Sequence, residues 1–96
     1  MTFNVLFHPE AAREIKCLER AVKERLKTAI AERLMTKPEV YGRPLRATLK
    51  GYWKLRVGDY RIVYTIHDAD LIIYAVRHRK EVYRVVSGRV YPKTQP

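Results

Sequence analysis

Acidic side chains are the scarce ones: ten Asp and Glu stand against twenty Lys and Arg, a formal net charge of +10 over 96 residues. The shortage is uneven, with a net of +2 over residues 1–40 and +8 over residues 41–96. A strongly basic face suits nucleic acid, an anionic membrane surface or an acidic protein. Long apolar runs are missing as well, and nothing approaches the roughly 18 residues that span a bilayer, so no membrane insertion is expected. Cys17 is the single cysteine; it cannot close an internal disulfide, which fits a reducing compartment. The stretch from Met1 to Phe7 is too short for the apolar core and cleavage site of a secretory signal, and the expected location is the cytoplasm. Asp68 and Asp70 flank a turn and do not read as a metal site; neither a metal nor another cofactor is expected.

Ninety-six residues make one domain with a single modest core. Thr2 to Phe7 alternates and predicts a first strand, with Phe3, Val5 and Phe7 on one face. His8-Pro9-Glu10 is a helix start, with Pro at the first position and Glu10 toward the dipole. Ala11, Ile15, Leu18, Val22, Leu26, Ala29, Ile30 and Leu34 then form an amphipathic stripe that meets no Gly or Pro before Pro38. Unbroken, that helix would run about 42 Å, longer than the roughly 32 Å diameter of a compact chain of this size. A bend near Glu19-Arg20-Ala21 is therefore expected, giving two antiparallel helices. The segment from Lys37 to Pro44 reads as a loop and Leu45 to Leu49 as a short strand. Cys17 reads as a helix thiol beside the stripe, and His8 and His67 as structural.

The richest stretch runs from Gly51 to Tyr64: two alternating strands joined by a Gly58-Asp59 turn. That turn sets Val57 across from Tyr60, Arg56 from Arg61, Leu55 from Ile62 and Lys54 from Val63. Trp53, Leu55, Val57, Tyr60, Ile62 and Tyr64 then share an apolar face. Tyr52, Lys54, Arg56 and Arg61 share the other, softened only by Val63 and Thr65. Like charges directly opposite each other destabilise a sheet, and a visiting polyanion is the ligand that would justify them. A second hairpin follows through Asp68-Ala69-Asp70, its loop of two or three residues leaving the faces of Leu71 to Val76 open. Glu81 to Val86 reads as a short helix. The domain is expected over residues 1–87, with a polar tail over residues 88–96.

Gly42-x-Pro44-Leu45, then Leu49-Lys50-Gly51-x-Trp53-Lys54-Leu55-Arg56-Val57-Gly58-Asp59-Tyr60-Arg61-Ile62-Val63-Tyr64, then Arg77-His78-Arg79 ahead of Glu81-Val82-Tyr83, resembles the RelE/ParE superfamily of toxins from type II toxin–antitoxin systems. The resemblance implies an α+β fold, microbial RNase-like: a small twisted antiparallel sheet with a two-helix hairpin on one face and a short C-terminal helix. It implies a RelE-branch toxin that enters the ribosome and cleaves messenger RNA. The implied partners are a cognate antitoxin, the ribosome and mRNA, with operator DNA reached only through the antitoxin. On this likeness Lys54, Arg61, Arg79 and Tyr83 match the family's working residues, and Tyr52, Arg56 and His78 are accessory candidates. The chain departs from the pattern at Tyr52, where some members carry a second lysine, and between Arg79 and Glu81, which is shorter here. Two other classes stay open: a ParE-like inhibitor of DNA gyrase without nuclease chemistry, and an inactive antitoxin-binding module.

The chemistry can be derived independently of the likeness. Metal-free RNA cleavage needs the 2′-hydroxyl to lose a proton and attack the adjacent phosphate while the departing 5′-oxygen gains one. Fixed guanidiniums such as Arg61 and Arg79 would stabilise the growing phosphoryl charge. Lys54 is either a proton acceptor, which requires moving it from about 10.4 to about 7.5 at a cost of roughly 4 kcal/mol, or an electrostatic clamp. His78 competes for the acid–base role, since its ordinary range is already suitable. Tyr83 can stack on a base or donate to phosphate, whereas Trp53 falls on the core face.

Overall fold

The computed structural model describes residues 2–86 and Arg89. Strand β1 (Asn4–Phe7) leads into α1 (Pro9–Lys16), whose first turn is capped by His8: its Nδ1 accepts from the Glu10 N–H at 3.1 Å. Cys17 ends α1 and is exposed rather than helical, its N–H donating to the Arg13 carbonyl at 3.2 Å. The chain then straightens at Glu19 and re-enters a helix as α2 (Arg20–Ala29). The break thus falls over Cys17 to Glu19, just ahead of the expected bend. Its cause is the one inferred from size, since the radius of gyration is 12.6 Å and a single rod would overshoot the sheet.

Helix α2 widens into a π-helical turn (Ile30–Leu34), closed by Met35 N–H to Ile30 O at 2.9 Å. This turn keeps Ile30 and Leu34 both in the core. A single turn, α3 (Pro38–Tyr41), follows where a loop was expected, and the edge strand is β2 (Arg43–Pro44) rather than Leu45 to Leu49. Proline is tolerated on an edge because no partner needs its missing N–H. Beyond it the chain dips through a 3₁₀ turn (Ala47–Leu49), with Ala47 left-handed at φ 54°, and this buries Leu49.

The remaining strands are β3 (Trp53–Val57), β4 (Tyr60–His67) and β5 (Asp70–His78). The sheet order is β1-β5-β4-β3-β2, antiparallel throughout except for β1, which lies parallel to β5. The second hairpin turns on two residues, Asp68 and Ala69, and a bulge between Val63 and Tyr64 shifts the β4–β5 register. One face of the sheet packs Leu55, Ile62, Tyr64, Leu71, Ile73 and Val76 against the helices. Phe3 and Val5 join this core, while Phe7 stays 41% exposed.

The opposite face is less open than the alternation implied. Helix α4, residues 82–86, lays Val82 and Val86 over Val63, Ala75 and Leu49 to make a second small core. Val63, expected to soften an open face, is consequently buried, and Thr65, expected to do the same, is buried as well. Each fully buried valine contributes roughly 1.5–3 kcal/mol, enough to hold a single-turn helix against the sheet. The expected tail beyond residue 87 lies outside the described residues apart from Arg89.

One close approach fixes the chain leading into β2. The buried Tyr64 hydroxyl donates to the Pro38 carbonyl at 2.7 Å, and burial pushes that phenol up from its ordinary range. A Cβ on Gly42 would lie 1.7 Å from this hydroxyl oxygen. Gly42→Ala should therefore cost about 1–3 kcal/mol through overpacking, and Tyr64→Phe about 0.5–1.5 kcal/mol through the missing hydrogen bond. In urea denaturation the double variant should lose less than the sum of the two. Strict additivity would show that the two sites do not touch.

Candidate functional site

Glycine at position 58, with φ +61°, makes the left-handed step that a two-residue hairpin needs. The register that follows sets Arg56 opposite Arg61 and Lys54 opposite Val63. Arg61 folds back over the turn, its Nη1 donating to the Gly58 carbonyl at 3.1 Å and the Tyr60 carbonyl at 3.0 Å. The Arg79 N–H donates to the Asp59 carbonyl at 2.9 Å, so the exit of β5 is tied to that same turn. Helix α4 then returns across the face and sets the Tyr83 ring beneath Lys54, with Nζ 5.8 Å from the ring centroid. Lys54 and Arg61 also share a cavity of about 310 Å³ with Arg56.

Lys54, Arg61 and Tyr83 are thus gathered on one face. Arg79 is anchored beside the turn by its main chain, with its side chain exposed. Among the described residues, none of Lys54, Arg56, Arg61 and Arg79 forms an ion pair. The acids that do form ion pairs serve other cations: Glu10 holds Arg13, while Glu14 and Glu81 hold Arg77 and Glu14 also holds Arg89.

Two accessory candidates are placed differently. His78 pairs with Tyr60 across β4 and β5, its ring 6.1 Å from that core-facing tyrosine, and its Nδ1 accepts from the Lys80 N–H at 3.4 Å. It therefore stands on the helix side of the sheet, away from Lys54. Tyr52 is half-buried and meets Tyr74 edge-on at 5.2 Å; burial first, and Tyr74 second, push its hydroxyl up. It forms a wall of the second core.

The hub that the sequence did not disclose is Glu14. Its carboxylate accepts from the Val76 N–H at 3.0 Å, from Arg77 at 3.1 Å and from both Nη atoms of Arg89 at 3.0 and 2.6 Å. Arg89 also donates to the Tyr74 carbonyl at 2.7 Å. A side chain on α1 thereby satisfies the β5 edge beyond the end of β1. The available signal was an acid at the apolar spacing, three residues after Ala11. Arg77, which pairs with Arg61 across the strands, is drawn round that edge and leaves the cationic face. Among the described residues no group of three or more His, Cys, Asp or Glu is positioned to hold a metal ion, and no helix is long and apolar enough to cross a membrane.

Fold and site together define a small basic α+β domain with an acid-free cationic patch on the sheet face opposite its helix pair. The sequence profile of the family described as "ParE toxin of type II toxin-antitoxin system, parDE" matches residues 5–83. The mRNA interferase toxin RelE of Escherichia coli strain K12 is 30% identical over 95 residues, covering 94% of this chain and 99% of that one. Toxin RelG of Mycobacterium tuberculosis is 31% identical over 86 residues, covering 88% and 99%. The crystal structure of the toxin-antitoxin complex RelBE2 from Mycobacterium tuberculosis superposes with a TM-score of 0.77 at 30% identity, covering 82% of this chain and 93% of the matched one. The chain belongs to the RelE/ParE superfamily of type II toxin–antitoxin toxins.

Burial alone pushes the Glu14 carboxyl up, but hydrogen bonds from Arg89, the Val76 N–H and Arg77 together outweigh it and hold the group below its ordinary value of 4.5. A depressed carboxyl contributes stability above its unfolded pKa and loses it as pH falls through the folded value. Glu14→Gln should therefore destabilise by roughly 1.5–3 kcal/mol near neutrality. The difference from wild type should shrink as the pH is lowered from 5. A gap that is unchanged down to pH 3 in denaturant titrations would remove the charge from this account.

Proposed function

We propose that the chain is a toxin that cleaves messenger RNA on the ribosome, by attack of a 2′-hydroxyl on the adjacent phosphate, and that a cognate antitoxin silences it. The observation that carries this reading is the set Lys54, Arg61 and Tyr83 on one sheet face, with no carboxylate paired to either cation. It is supported by relatives named mRNA interferase RelE and by a relative solved as a toxin-antitoxin complex.

In this mechanism the scissile phosphate lies over Lys54 and Arg61. The 2′-hydroxyl gives its proton to water as its oxygen bonds to phosphorus, and the phosphoryl charge increases. The P–O5′ bond then breaks as the 5′-oxygen takes a proton from water, leaving a 2′,3′-cyclic phosphate. Arg61 is preorganised, because two carbonyls hold its Nη1 and no acid competes for the rest of its fork. Donors fixed before the reaction need no reorganisation when the charge develops. Lys54 acts as a clamp for the same charge, steadied by the Tyr83 ring. Arg79 approaches from beside the turn to meet another phosphoryl oxygen. Tyr83 offers its ring to a base or its hydroxyl to phosphate. Tyr52 shapes the floor, Arg56 supplies further cationic field, and His78 has no part in the chemistry. The reaction needs no metal.

The description of the matching family as ParE favours a second reading, a gyrase inhibitor without nuclease chemistry. Adding the protein in parallel to cell-free translation and to a gyrase supercoiling reaction separates the two. Cut transcripts with normal supercoiling are expected; intact transcripts with blocked supercoiling would replace the first reading with the second.

Within the first reading, Arg61→Ala should lower cleavage about 10²–10³-fold, the usual loss for one preorganised donor, with unfolding nearly unchanged. Lys54→Arg should keep most activity and show the same pH dependence as wild type from pH 6 to 9. A rate that rises with pH in wild type and goes flat in Lys54→Arg would make Lys54 a base and not a clamp.

A further inference from the structure

The cavity that holds Lys54 and Arg61 does not end at the cationic face. It continues round the outer edge of β3, where Arg33 from the π-helical turn and Tyr41 and Arg43 beside β2 complete its lining. Five of its seven lining residues are cations, and none is acidic. Strand β2 pairs with Trp53 and Lys54 of β3, so the outer edge of β3 from Leu55 onward is left uncovered by a strand among the described residues. Arg33 and Arg43, like Lys54, Arg56 and Arg61, form no ion pair among the described residues. Two other cavities are mixed in charge: one of about 350 Å³ at the β5 edge is lined by Glu10, Glu14 and Glu81 beside Arg13, Arg77 and Arg89, and one of about 290 Å³ by Glu24 and Glu32 beside Arg25 and Arg33.

We propose that the groove bounded by Arg33, Tyr41 and Arg43 is a second phosphate site, holding the backbone of the single-stranded message next to the linkage that Lys54 and Arg61 engage. This rests on the nuclease reading and extends it. A chain whose scissile phosphate sits between Lys54 and Arg61 must carry a neighbouring phosphate away from them, and the cavity is continuous in the direction of Arg33 and Arg43. Two guanidiniums lining one groove suit a phosphate, because each presents a fork of donors and keeps its charge at every accessible pH. Tyr41, half exposed in the lining, offers a ring on which any base can stack. Phosphate-directed arginines of this kind position the strand without reading its sequence. Cations on an edge also deter pairing between sheet edges, but that role gives them no part in the salt dependence of cleavage.

The test compares wild type, the double variant Arg33→Gln/Arg43→Gln, the double variant Arg33→Lys/Arg43→Lys, and Arg13→Gln as a control whose arginine pairs with Glu10 on α1, outside the groove. Cleavage of ribosome-bound message is followed from about 50 to 200 mM salt, a range in which binding to phosphates changes affinity steeply. The Gln pair should lower kcat/KM about tenfold or more, chiefly through KM and equally on every codon. The slope of log(kcat/KM) against log salt should become shallower by about 0.7 for each phosphate that is no longer neutralised. The Lys pair should retain most of both, and Arg13→Gln all of both. Binding of a short oligoribonucleotide, 2′-deoxy at the cleavage position and read by fluorescence anisotropy without ribosomes, should weaken in the Gln pair, which distinguishes phosphates of the message from those of the ribosome. A wild type that cleaves alongside a Gln pair with unaltered salt slope or oligonucleotide binding overturns the second site and leaves the nuclease reading standing. A Gln pair that cleaves normally but escapes its antitoxin assigns the groove to an acidic protein and overturns it as well. A wild type that never cleaves removes the nuclease reading and the site together.

Discussion

The register of the β3–β4 hairpin is the constraint on which the rest depends. With Gly58 left-handed and Val57 paired to Tyr60, every residue of both strands is committed to a face. Leu55, Ile62 and Tyr64 enter the core, and Lys54, Arg56 and Arg61 are forced together on the other side. A slip of one residue would exchange the two sets, burying three cations and exposing the core. The apolar face therefore enforces the crowding of charge: hydrophobic burial, worth roughly 1.5–3 kcal/mol for each large side chain, holds Arg56 across from Arg61 against a cross-strand repulsion of at most about 1 kcal/mol.

The two edges of the sheet manage charge in opposite ways. At the β5 edge, Glu14 reaches from α1 to the Val76 N–H and gathers Arg77 and Arg89, so that edge is satisfied and neutral. At the β3 edge the short strand β2 stops after two residues and the cations Arg33, Arg43 and Arg56 converge with no acid among them. Glu14 and Glu81 are committed to Arg77 and Arg89, whereas the groove at the opposite edge is lined by cations without an acid. The asymmetry gives the molecule one charge-paired edge and one cationic edge.

Much of this was legible in the chain. The Gly58-Asp59 turn and the period-2 alternation around it carried the pairing of Arg56 with Arg61, and the mismatch between helix length and domain size carried the break after α1. What stayed hidden depends on residues far apart in the chain. Leu45 to Leu49 has the composition of a strand, but Pro44 closes the edge pairing and Leu49 is drawn into the second core. Val63 and Thr65 alternate as solvent-facing residues, yet both are buried, Val63 beneath the returning α4. The position of His78 behind the sheet follows from the β4–β5 register, which a turn of two or three residues left open. Glu14 and Arg89 lie 75 residues apart, and no local pattern announces that they meet.

The central claim is that the cations of this face are held together for an anion and are not required by the fold. Thermal unfolding of wild type and Arg61→Gln, each with and without a short single-stranded oligoribonucleotide at low salt, tests it most directly. Without RNA the variant should melt at or above the wild-type temperature, because the cross-strand repulsion is relieved. With RNA the wild type should gain clearly more than the variant, since a ligand that binds only the folded state raises its stability. A variant that melts well below wild type, with RNA moving both alike, would contradict the account.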